Sequence, residues 1–466
     1  MTFVKDFSRF FHTRSDTNTT EIKAYVFGLL QAKRGAKNLE RMEEHVPDFN
    51  YQAVHNTISH SPWDHRPLMD EVARRANGLL GGGPRCRLVI DDSAIQKKGN
   101  GSVGVGRMYN GRLGKIENCQ IAVCTSLASG QQSTLTDLRL YLPAAWCDDP
   151  QRCDKAGIPA DRRHFLTKPQ HALQSIRHQR QLGIGFDLVS MDGGYGSDHG
   201  FLHALDRDGE TFVAEVHCDQ RIWTAAPWPH RQGARPGKDR LHPVPSQPGE
   251  RVDAWAAAQP DTAWRRLKTR DSDQGWIEVN YLAQRVWVTE GDQQKVWWLL
   301  VWENPDERAN NGTKPKAPRR HYALCNAAAD EDPRVLVADG VGRNVVERNF
   351  RDGKREVGMA DYQTRGWLAW HHHMALVMLA LLFLTQERMH TPAPASPEGP
   401  INITCGDIAF ILERLLPRRG QGPCEEEDLR RMLKQRIGKR QQDQVRRRIK
   451  TRTIRPPLWP DEELPK

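Results

Sequence analysis

Residues 86–92 read Cys-Arg-Leu-Val-Ile-Asp-Asp, a short apolar run that ends in two acids. A second such run at 186–192 reads Phe-Asp-Leu-Val-Ser-Met-Asp and is followed by Gly-Gly-Tyr-Gly. Short apolar runs bounded by turn residues are typical of buried strands. Ligand sites in α/β sheets form at the carboxyl ends of neighbouring strands. We therefore predict that Asp91 or Asp92 and Asp192 end two neighbouring strands and converge within a few ångströms.

The pattern around these two runs predicts an α/β fold. Further apolar runs predict strands at residues 119–127, 138–142 and 211–216, the second of them half-exposed because Leu138, Leu140 and Leu142 alternate with polar residues. Helical spacing predicts helices at 168–182, 198–207, 334–358 and 367–384. Three meandering strands followed by α/β crossovers indicate a mixed sheet with helices on its faces.

The same pass along the chain predicts five segments. These are a helical N-terminal domain at 1–84, for which DNA binding and plain packing both stay open, a first part of the α/β core at 85–219, a β-rich insertion at 220–320, a second part of the core at 321–390, and a linker with a basic helical C-terminal region at 391–466. The insertion is predicted as a unit of its own because it contains three strand candidates within a segment too long for a loop.

Composition narrows the class of protein. A chain of 466 residues can bury a full core without disulfides. The nine cysteines are scattered and form no Cys-x-x-Cys pair, which favours a reducing cytosol. The longest apolar run, 374–384, is shorter than the ~20 residues of a membrane span, and we expect no secretory signal. We therefore expect a cytoplasmic protein, with no membrane as partner.

Basic residues are concentrated near the C-terminus. Residues 430–455 contain twelve Lys and Arg and one acid, Asp443, while the whole chain has a net charge of +10. A dense basic stretch on an otherwise neutral chain favours a polyanion partner, most often a nucleic acid. A solvated tail that only aids solubility is the alternative.

A third acid, Glu347, falls on the predicted helix at 334–358. Arg343 and Lys354 lie near the same helical face, so one carboxylate would stand between two cations. Carboxylates of this kind hold two Mg²⁺ ions for phosphoryl transfer, and the two cations would hold substrate phosphates. A row of surface salt bridges has the same spacing and is the alternative.

At these residues the sequence resembles the bacterial insertion-sequence DDE transposases, in the branch with a β-rich insertion before the third acid. In that branch an Arg precedes the third acid by three intervening residues and a Lys follows it by six, as Arg343 and Lys354 do here. The branch usually has a Tyr where this chain has Gly340. Further matching segments are 90–93, 97–99, 140–143, 191–196 and 358–370.

The resemblance implies an RNase H-like core in which Asp91 or Asp92, Asp192 and Glu347 are the catalytic, metal-binding triad. It leaves open which of the adjacent pair is catalytic, and because side chains alternate along a strand, only one should reach the metals. It further implies a two-metal Mg²⁺ site (Mn²⁺ being the alternative ion), terminal inverted repeats and target DNA as partners, and a homodimer that joins two ends. A bacterial, nucleoid-associated location follows from these partners.

Several other side chains are candidates for contact with DNA. The inserted unit of the family carries aromatic residues that stack on a flipped base, and the candidates here are Trp297, Trp298, Trp302 and Tyr322. Basic candidates are Lys97, Lys98, Arg365, Arg446, Arg447 and Arg448. For each of these a core or solvated role is the alternative. The tract His371-His372-His373 is predicted to pack rather than bind metal, because neighbours on a helix face different ways.

These observations predict a DNA transposase that cleaves the ends of its element and joins them to target DNA. Two alternatives stay open. One is a catalytically idle relative that acts as a DNA-binding regulator, and the other is an RNase H-like nuclease without strand transfer.

Overall fold

A computed structural model describes residues 2–13, 17–111, 113–227, 247–272, 275–290, 293–304, 319–391, 403–420, 422–452 and 461–464. The linker predicted at the start of segment 391–466 lies almost wholly outside these residues.

The described chain contains helices and strands in mixed order. Up to residue 187 these are α1 (Thr2–Lys5), α2 (Thr19–Gln31), α3 (Leu39–His45), α4 (Tyr51–Ser59), α5 (His65–Leu80), β1 (Arg87–Gln96), β2 (Gly106–Asn110), β3 (Lys115–Ser129), β4 (Gln132–Leu140), α6 (Ala144–Cys147), α7 (Pro150–Ala156) and α8 (Lys168–Gln181). Next come β5 (Leu188–Met191), α9 (Gly193–Gly196), α10 (His199–Arg207), β6 (Phe212–Val216), β7 (Arg221–Ile222), β8 (Glu250–Arg251), α11 (Val252–Ala258), β9 (Arg265–Ser272), β10 (Gly275–Glu290), β11 (Gln293–Glu303), β12 (Arg320–Cys325) and α12 (Pro333–Gly342). The last are α13 (Val345–Glu356), α14 (Trp367–His390), α15 (Cys405–Leu415), α16 (Glu426–Arg452) and β13 (Asp461–Glu463).

The chain divides into two compact units. Unit 1 comprises Met1–Asp187 and Val345–Gly438, and unit 2 comprises Leu188–Asn344 and Lys439–Lys466. The five-segment division made from the sequence stays a prediction, and the two units cut across it: the predicted insertion shares unit 2 with β5, β6 and α12.

Unit 1 is built on an antiparallel sheet under a large helical layer. β3 is the central strand, and it pairs with β1, with β2 and with β4. One continuous apolar cluster joins side chains of this sheet to those of α2, α4, α5, α13 and α14. The predicted helical N-terminal region is therefore packed into the same core as the strands that carry Asp91 and Asp92.

The long helix α14 is the centre of that core. By length and hydropathy alone it could cross a membrane, but 89% of its apolar window is buried within the protein. It contacts α2, α4, α5, α15 and β4. These contacts explain its composition, because a helix that is apolar all round and surrounded by protein needs no polar face.

Unit 2 contains a mixed series of paired strands. β5 and β6 are parallel, β6 pairs antiparallel with β12, and the order continues through β11, β10 and β9, with β13 parallel to β9. The strands of the predicted insertion thus belong to the same sheet as β5 and β6 instead of forming a sheet of their own. The β7–β8 pair is separate.

Three local predictions differ from the structure. The first strand does not end at its acids: β1 continues to Gln96, because Asp91 and Asp92 pair in register with Cys124 and Val123 of β3. The strand predicted at 138–142 starts and ends earlier, as β4 (Gln132–Leu140), and Asp137 just before the predicted residues is fully buried. The single helix predicted at 334–358 is two helices, α12 and α13, interrupted at 343–344.

Candidate active site

The two adjacent acids of β1 point to opposite faces of the sheet. Side chains alternate along a strand, so Asp91 shares a face with Val89 and Ile95, and Asp92 faces the other way. Val89 and Ile95 belong to the apolar cluster that also contains Val345, Val346 and Phe350 of α13. Asp91 therefore lies on the face of the sheet that is covered by α13.

Asp92 is engaged on the opposite face. Its carboxylate forms an ion pair with Lys168 at the start of α8, and its backbone N–H donates to Oδ1 of Asp91 at 2.7 Å. The Asp92 side chain is about one quarter exposed and that of Lys168 about one third. No sequence pattern indicates Lys168, because a Lys at a helix start 76 residues away carries no signal that links it to Asp92.

Glu347 lies in the first turn of α13 and is exposed. The helix is strongly amphipathic. Val345, Val346 and Phe350 are buried, whereas Glu347, which lies between them in the sequence, is on the polar face. α13 packs against β1, β3 and β4. Ser133 of β4 donates to Oδ1 of Asn349 at 3.0 Å, which fixes the start of the helix on the sheet.

Lys354 fixes the other end of α13. Its Nζ donates to the carbonyl oxygen of Ala94 at 2.9 Å. Burial raises the pKa of the Cys124 thiol well above its usual value, the charges of Asp91 and Asp92 raise it further, and Lys354 opposes them. Cys124 lies directly opposite Asp91 across the β1–β3 ladder. Lys354 and Asp91 therefore lie near the same part of the sheet. Lys354 is a positioning residue for the helix that carries Glu347.

Asp192 ends β5, as the sequence predicts, and caps the short helix α9. Its Oδ1 accepts a hydrogen bond from the N–H of Gly194 at 3.0 Å. The glycines that follow allow a close approach to β6: a β-carbon at position 196 would lie 1.9 Å from the carbonyl oxygen of Glu215. The Gly-Gly-Tyr-Gly turn therefore allows α9 to lie close to β6. Asp192, which caps α9, is half-buried there.

Arg343 does not share the helix of Glu347. It follows α12 in unit 2, is about one tenth exposed, and donates from Nε to Oε1 of Glu215 at 2.9 Å. His321 also contacts Glu215, at 3.3 Å. Burial would raise the pKa of Glu215, but the contacts with His321 and Arg343 outweigh it and lower the pKa. The prediction that Arg343 and Glu347 form one helical row is wrong, because the helix breaks between them.

A steric contact explains why this chain has Gly340 where the transposase branch usually has a Tyr. A β-carbon at this position would lie 3.0 Å from Cη2 of Trp302. Trp302 is buried and stacks on His321 with its ring centroid 5.4 Å away. The indole thus occupies the space that a Tyr side chain at 340 would enter.

The aromatic residues predicted to stack on a flipped base lie inside unit 2. Trp297, Trp298, Trp302 and Tyr322 are all buried. The Nε1 of Trp298 donates to the carbonyl oxygen of Ala328 at 3.0 Å, and burial raises the pKa of Tyr322. Their burial contradicts a stacking role for these rings and supports the core role that was the alternative.

The basic candidates fall into two groups. Lys97, Lys98 and Arg365, which are far apart in sequence, line one cavity of unit 1. Arg446, Arg447 and Arg448 lie in α16, but their side chains are outside the described residues. The sequence identifies Lys97, Lys98 and Arg365 as candidates but could not predict that they line one cavity, because the cavity forms only when the loop after β1 meets the segment between α13 and α14.

The three histidines of α14 pack, as the sequence predicts. His371 contacts the carbonyl oxygen of Trp367, His372 those of Ile58 and Trp63, and His373 the hydroxyl of Tyr25. Burial lowers the pKa of His371 and of His373 to about 3. All three are structural residues of the unit 1 core.

The three candidate carboxylates are of the chemical type that binds a divalent cation. Asp91, Asp192 and Glu347 offer only hard oxygen donors, which suit Mg²⁺ or Mn²⁺. Within the described ranges, no group of three or more His, Cys, Asp or Glu side chains is close enough to hold a metal ion. Asp91 and Glu347 belong to unit 1 and Asp192 to unit 2, so the convergence of the three acids stays a prediction.

Comparison with known proteins agrees with this chemistry. The sequence profile described as DDE superfamily endonuclease matches residues 6–275, which include Asp91, Asp92 and Asp192 but not Glu347. The chain is also similar to a protein of Microchaete diplosiphon named "Probable transposase for insertion sequence element IS701", with 28% identity over 188 residues. That region is 40% of this chain and 46% of the relative, so the chain spans about half the length of the relative it matches.

The family match also supports the fold class. Together with the mixed α/β architecture, it confirms the RNase H-like fold predicted from the sequence. Since the profile matches more than half of the residues, the chain belongs to the DDE superfamily endonuclease family.

Proposed function

We propose that this protein is the transposase of an insertion sequence, which cleaves DNA at the ends of its element and transfers the 3′ ends to target DNA. The observation that carries this proposal is the placement of Asp91 on the sheet face covered by α13, the helix whose first turn carries Glu347. Similarity to an insertion-sequence transposase supports the same activity.

In this proposal Asp91, Asp192 and Glu347 hold divalent cations. Such cations, when bound, activate the attacking oxygen and stabilise the leaving one. Asp92 is not a ligand, because its carboxylate is paired with Lys168 on the other face. Lys354 holds α13 on β1 and so keeps Glu347 at a fixed position along β1.

DNA is the partner that the family implies. The basic helix α16 and the cationic residues Lys97, Lys98 and Arg365 would contact the phosphates of the element's terminal repeats and of target DNA. Joining two ends requires two active sites, so we propose a homodimer in the synaptic complex. The protein would act in the bacterial cytoplasm, at the nucleoid.

The test is cleavage of duplex DNA that carries the ends of the encoding element, in the presence of Mg²⁺. Wild type is compared with Glu347→Gln, which keeps the shape of the side chain and removes its charge. The matched control is Glu250→Gln, which changes an exposed Glu of β8. We expect wild type and the control to cleave and Glu347→Gln to bind DNA without cleaving it.

Other results would favour the alternatives. If wild type binds the ends and none of the proteins cleaves, the protein is a DNA-binding regulator. If wild type cleaves but never joins pre-cleaved ends to a target duplex, it is a nuclease without strand transfer. Equal cleavage by Glu347→Gln would remove Glu347 from the active site.

A further inference from the structure

Unit 1 contains a cavity of about 790 Å³ that none of the predicted acids lines. Its walls come from three places: the loop 97–102 after β1, the segment 360–365 between α13 and α14, and side chains of α2, α3 and α4 with the cap residue Asn38. The volume lies within the roughly 300–1,000 Å³ of small-molecule sites. It is large enough for one mononucleotide-sized ligand.

One end of the cavity is cationic. Lys97, Lys98 and Arg365 line it, and its described lining includes no Asp or Glu. Lys98 and Arg365 are exposed. Lys97 lies 3.4 Å above the centroid of the Tyr362 ring and donates to the Tyr362 carbonyl oxygen, and burial lowers its pKa to about 8, so it is mostly protonated at pH 7. This end therefore suits an anion such as a phosphate.

Another wall is aromatic. Tyr51 and His55 lie one turn apart on α4 with their rings nearly parallel, at 12° and a centroid distance of 5.9 Å. Both are half-buried and both line the cavity. Flat rings at a cavity wall are platforms on which a nucleobase can stack. Gln96, Asn100 and Gln363 also line the cavity, and side-chain amides can form hydrogen bonds to the edge of a base.

The cavity is held in shape by hydrogen bonds of its own walls. The side chain of Asn118 donates to the carbonyl oxygens of Lys97 at 2.9 Å and of Gly99 at 3.1 Å. The N–H of Val103 donates to the carbonyl oxygen of Arg365 at 2.8 Å, which joins the two cationic segments. A site fixed in this way loses little conformational freedom when a ligand binds.

We propose that this cavity binds one unpaired nucleotide of a DNA strand, with its phosphate at Lys97, Lys98 and Arg365 and its base against Tyr51 and His55. An unpaired nucleotide is the part of DNA that offers a phosphate and a free aromatic face together, whereas bases in a duplex are stacked on each other. The inference rests on the proposed function for its choice of DNA as ligand. It adds a site for a distorted strand that is distinct from the carboxylates.

The test uses the full-length protein and two labelled duplexes of the same sequence, one fully paired and one with a single unpaired thymidine. Binding is measured by fluorescence anisotropy without divalent metal, so that no cleavage occurs. We expect wild type to bind the bulged duplex about tenfold more tightly, which is the scale of one base–aromatic stack. Tyr51→Ala should remove this preference and leave binding of the paired duplex unchanged.

Matched variants separate the cavity from general effects. Arg365→Gln should weaken binding of the bulged duplex more than that of the paired duplex. Tyr109→Ala and Lys115→Gln change an exposed Tyr and an exposed Lys of the β2–β3 hairpin, outside the cavity, and should keep the preference. If Tyr51→Ala does not fold, as judged by circular dichroism, His55→Ala replaces it.

The outcomes distinguish this inference from the proposed function. Equal binding of both duplexes by wild type, or a preference that persists in Tyr51→Ala and Arg365→Gln, would overturn the cavity site and leave cleavage of the element's ends untouched. Binding of neither duplex would overturn DNA as the substrate and the inference with it.

Discussion

The Nζ of Lys354 lies 2.9 Å from the carbonyl oxygen of Ala94, three residues beyond Asp91 on β1. Lys354 is also seven residues beyond Glu347 on α13, about two helical turns away on the same face. This hydrogen bond therefore ties the helix that carries one candidate acid to the strand that carries another. Both acids belong to unit 1.

The orientation of β1 predicts that the two adjacent acids differ in their effect on cleavage. Asp91→Asn should lower DNA cleavage by at least about 100-fold, because a carboxylate on the α13 face is lost. Asp92→Asn should stay within about tenfold of wild type, because its carboxylate pairs with Lys168 on the other face. Initial cleavage rates at saturating Mg²⁺, with DNA binding as the control for folding, check this. The reverse order of the two variants would mean that the catalytic face has been assigned wrongly.

The turn that follows Asp192 predicts a steric effect. In Gly196→Ala the added β-carbon would lie 1.9 Å from the Glu215 carbonyl oxygen, so α9 must move away from β6. We expect a loss of about 1–3 kcal/mol or more in stability, together with weaker cleavage, since Asp192 caps the displaced helix. Urea unfolding and cleavage rates measure the two effects.

A glycine with open space around it is the control for that variant. Gly78 lies on the outside of α5 with nothing within 4 Å of an added β-carbon. Gly78→Ala should therefore be neutral or stabilising by up to about 1 kcal/mol. A Gly196→Ala protein as stable as wild type would show that α9 adjusts without cost.

The sequence predicted the strands of the site better than the environments of their side chains. The runs that end at Asp92 and Asp192 were identified correctly as strands because buried strands are apolar. The end of β1 was wrong, because pairing with β3 outweighs the polarity of two acids and extends the strand to Gln96. The alternation of leucines with polar residues predicted a half-exposed strand with Asp137 on its polar face, whereas Asp137 is fully buried.

Asp137 leads to a prediction about stability. Burial alone would raise its pKa, but ion pairs with Arg66 at 2.8 Å and Arg139 at 2.8 Å outweigh it and hold the pKa well below its usual range. Asp137→Asn removes the buried carboxylate that both cations share, so that Arg66 is left with the longer 3.7 Å contact with Asp70, and the substitution should cost about 3–5 kcal/mol. The stabilisation by a carboxylate with a lowered pKa is present above the unfolded-state pKa, so this cost should be the same at pH 5 and pH 7.

An exposed ion pair is the control for Asp137. Asp154 pairs with Arg163 at 2.7 Å but is 68% exposed, and Asp154→Asn should cost at most about 1 kcal/mol. Urea unfolding at the two pH values compares the variants. A cost for Asp137→Asn that vanishes at pH 5 would mean that the carboxyl is protonated there in the folded protein.

Contacts between distant segments explain the other differences from the sequence. Lys97 and Arg365 face one cavity although 268 positions separate them, and no local pattern connects such residues. Arg343 was predicted from its spacing to Glu347, which assumes an unbroken helix. The structure ends α12 before Arg343, and the guanidinium turns to Glu215. An acid within the apolar run Val213-Ala214-Glu215-Val216 was the available signal for that pair.

The buried histidines of α14 predict that the protein loses stability in mild acid. Burial lowers the pKa of His371 and of His373 from 6.5 to about 3, so the folded state keeps both rings neutral while the unfolded chain protonates them below pH 6.5. The unfolded state then binds more protons, and the free energy of unfolding falls as the pH falls from about 6.5 towards 3. At pH 5 each ring should lower the free energy of unfolding by about 2 kcal/mol.

Between pH 7 and pH 5, the free energy of unfolding of His373→Gln should therefore fall by about 2 kcal/mol less than that of wild type, as measured by urea unfolding. His390→Gln, at the exposed end of the same helix, should show the same fall as wild type. An unchanged loss in His373→Gln would mean that this ring accepts a proton inside the folded core.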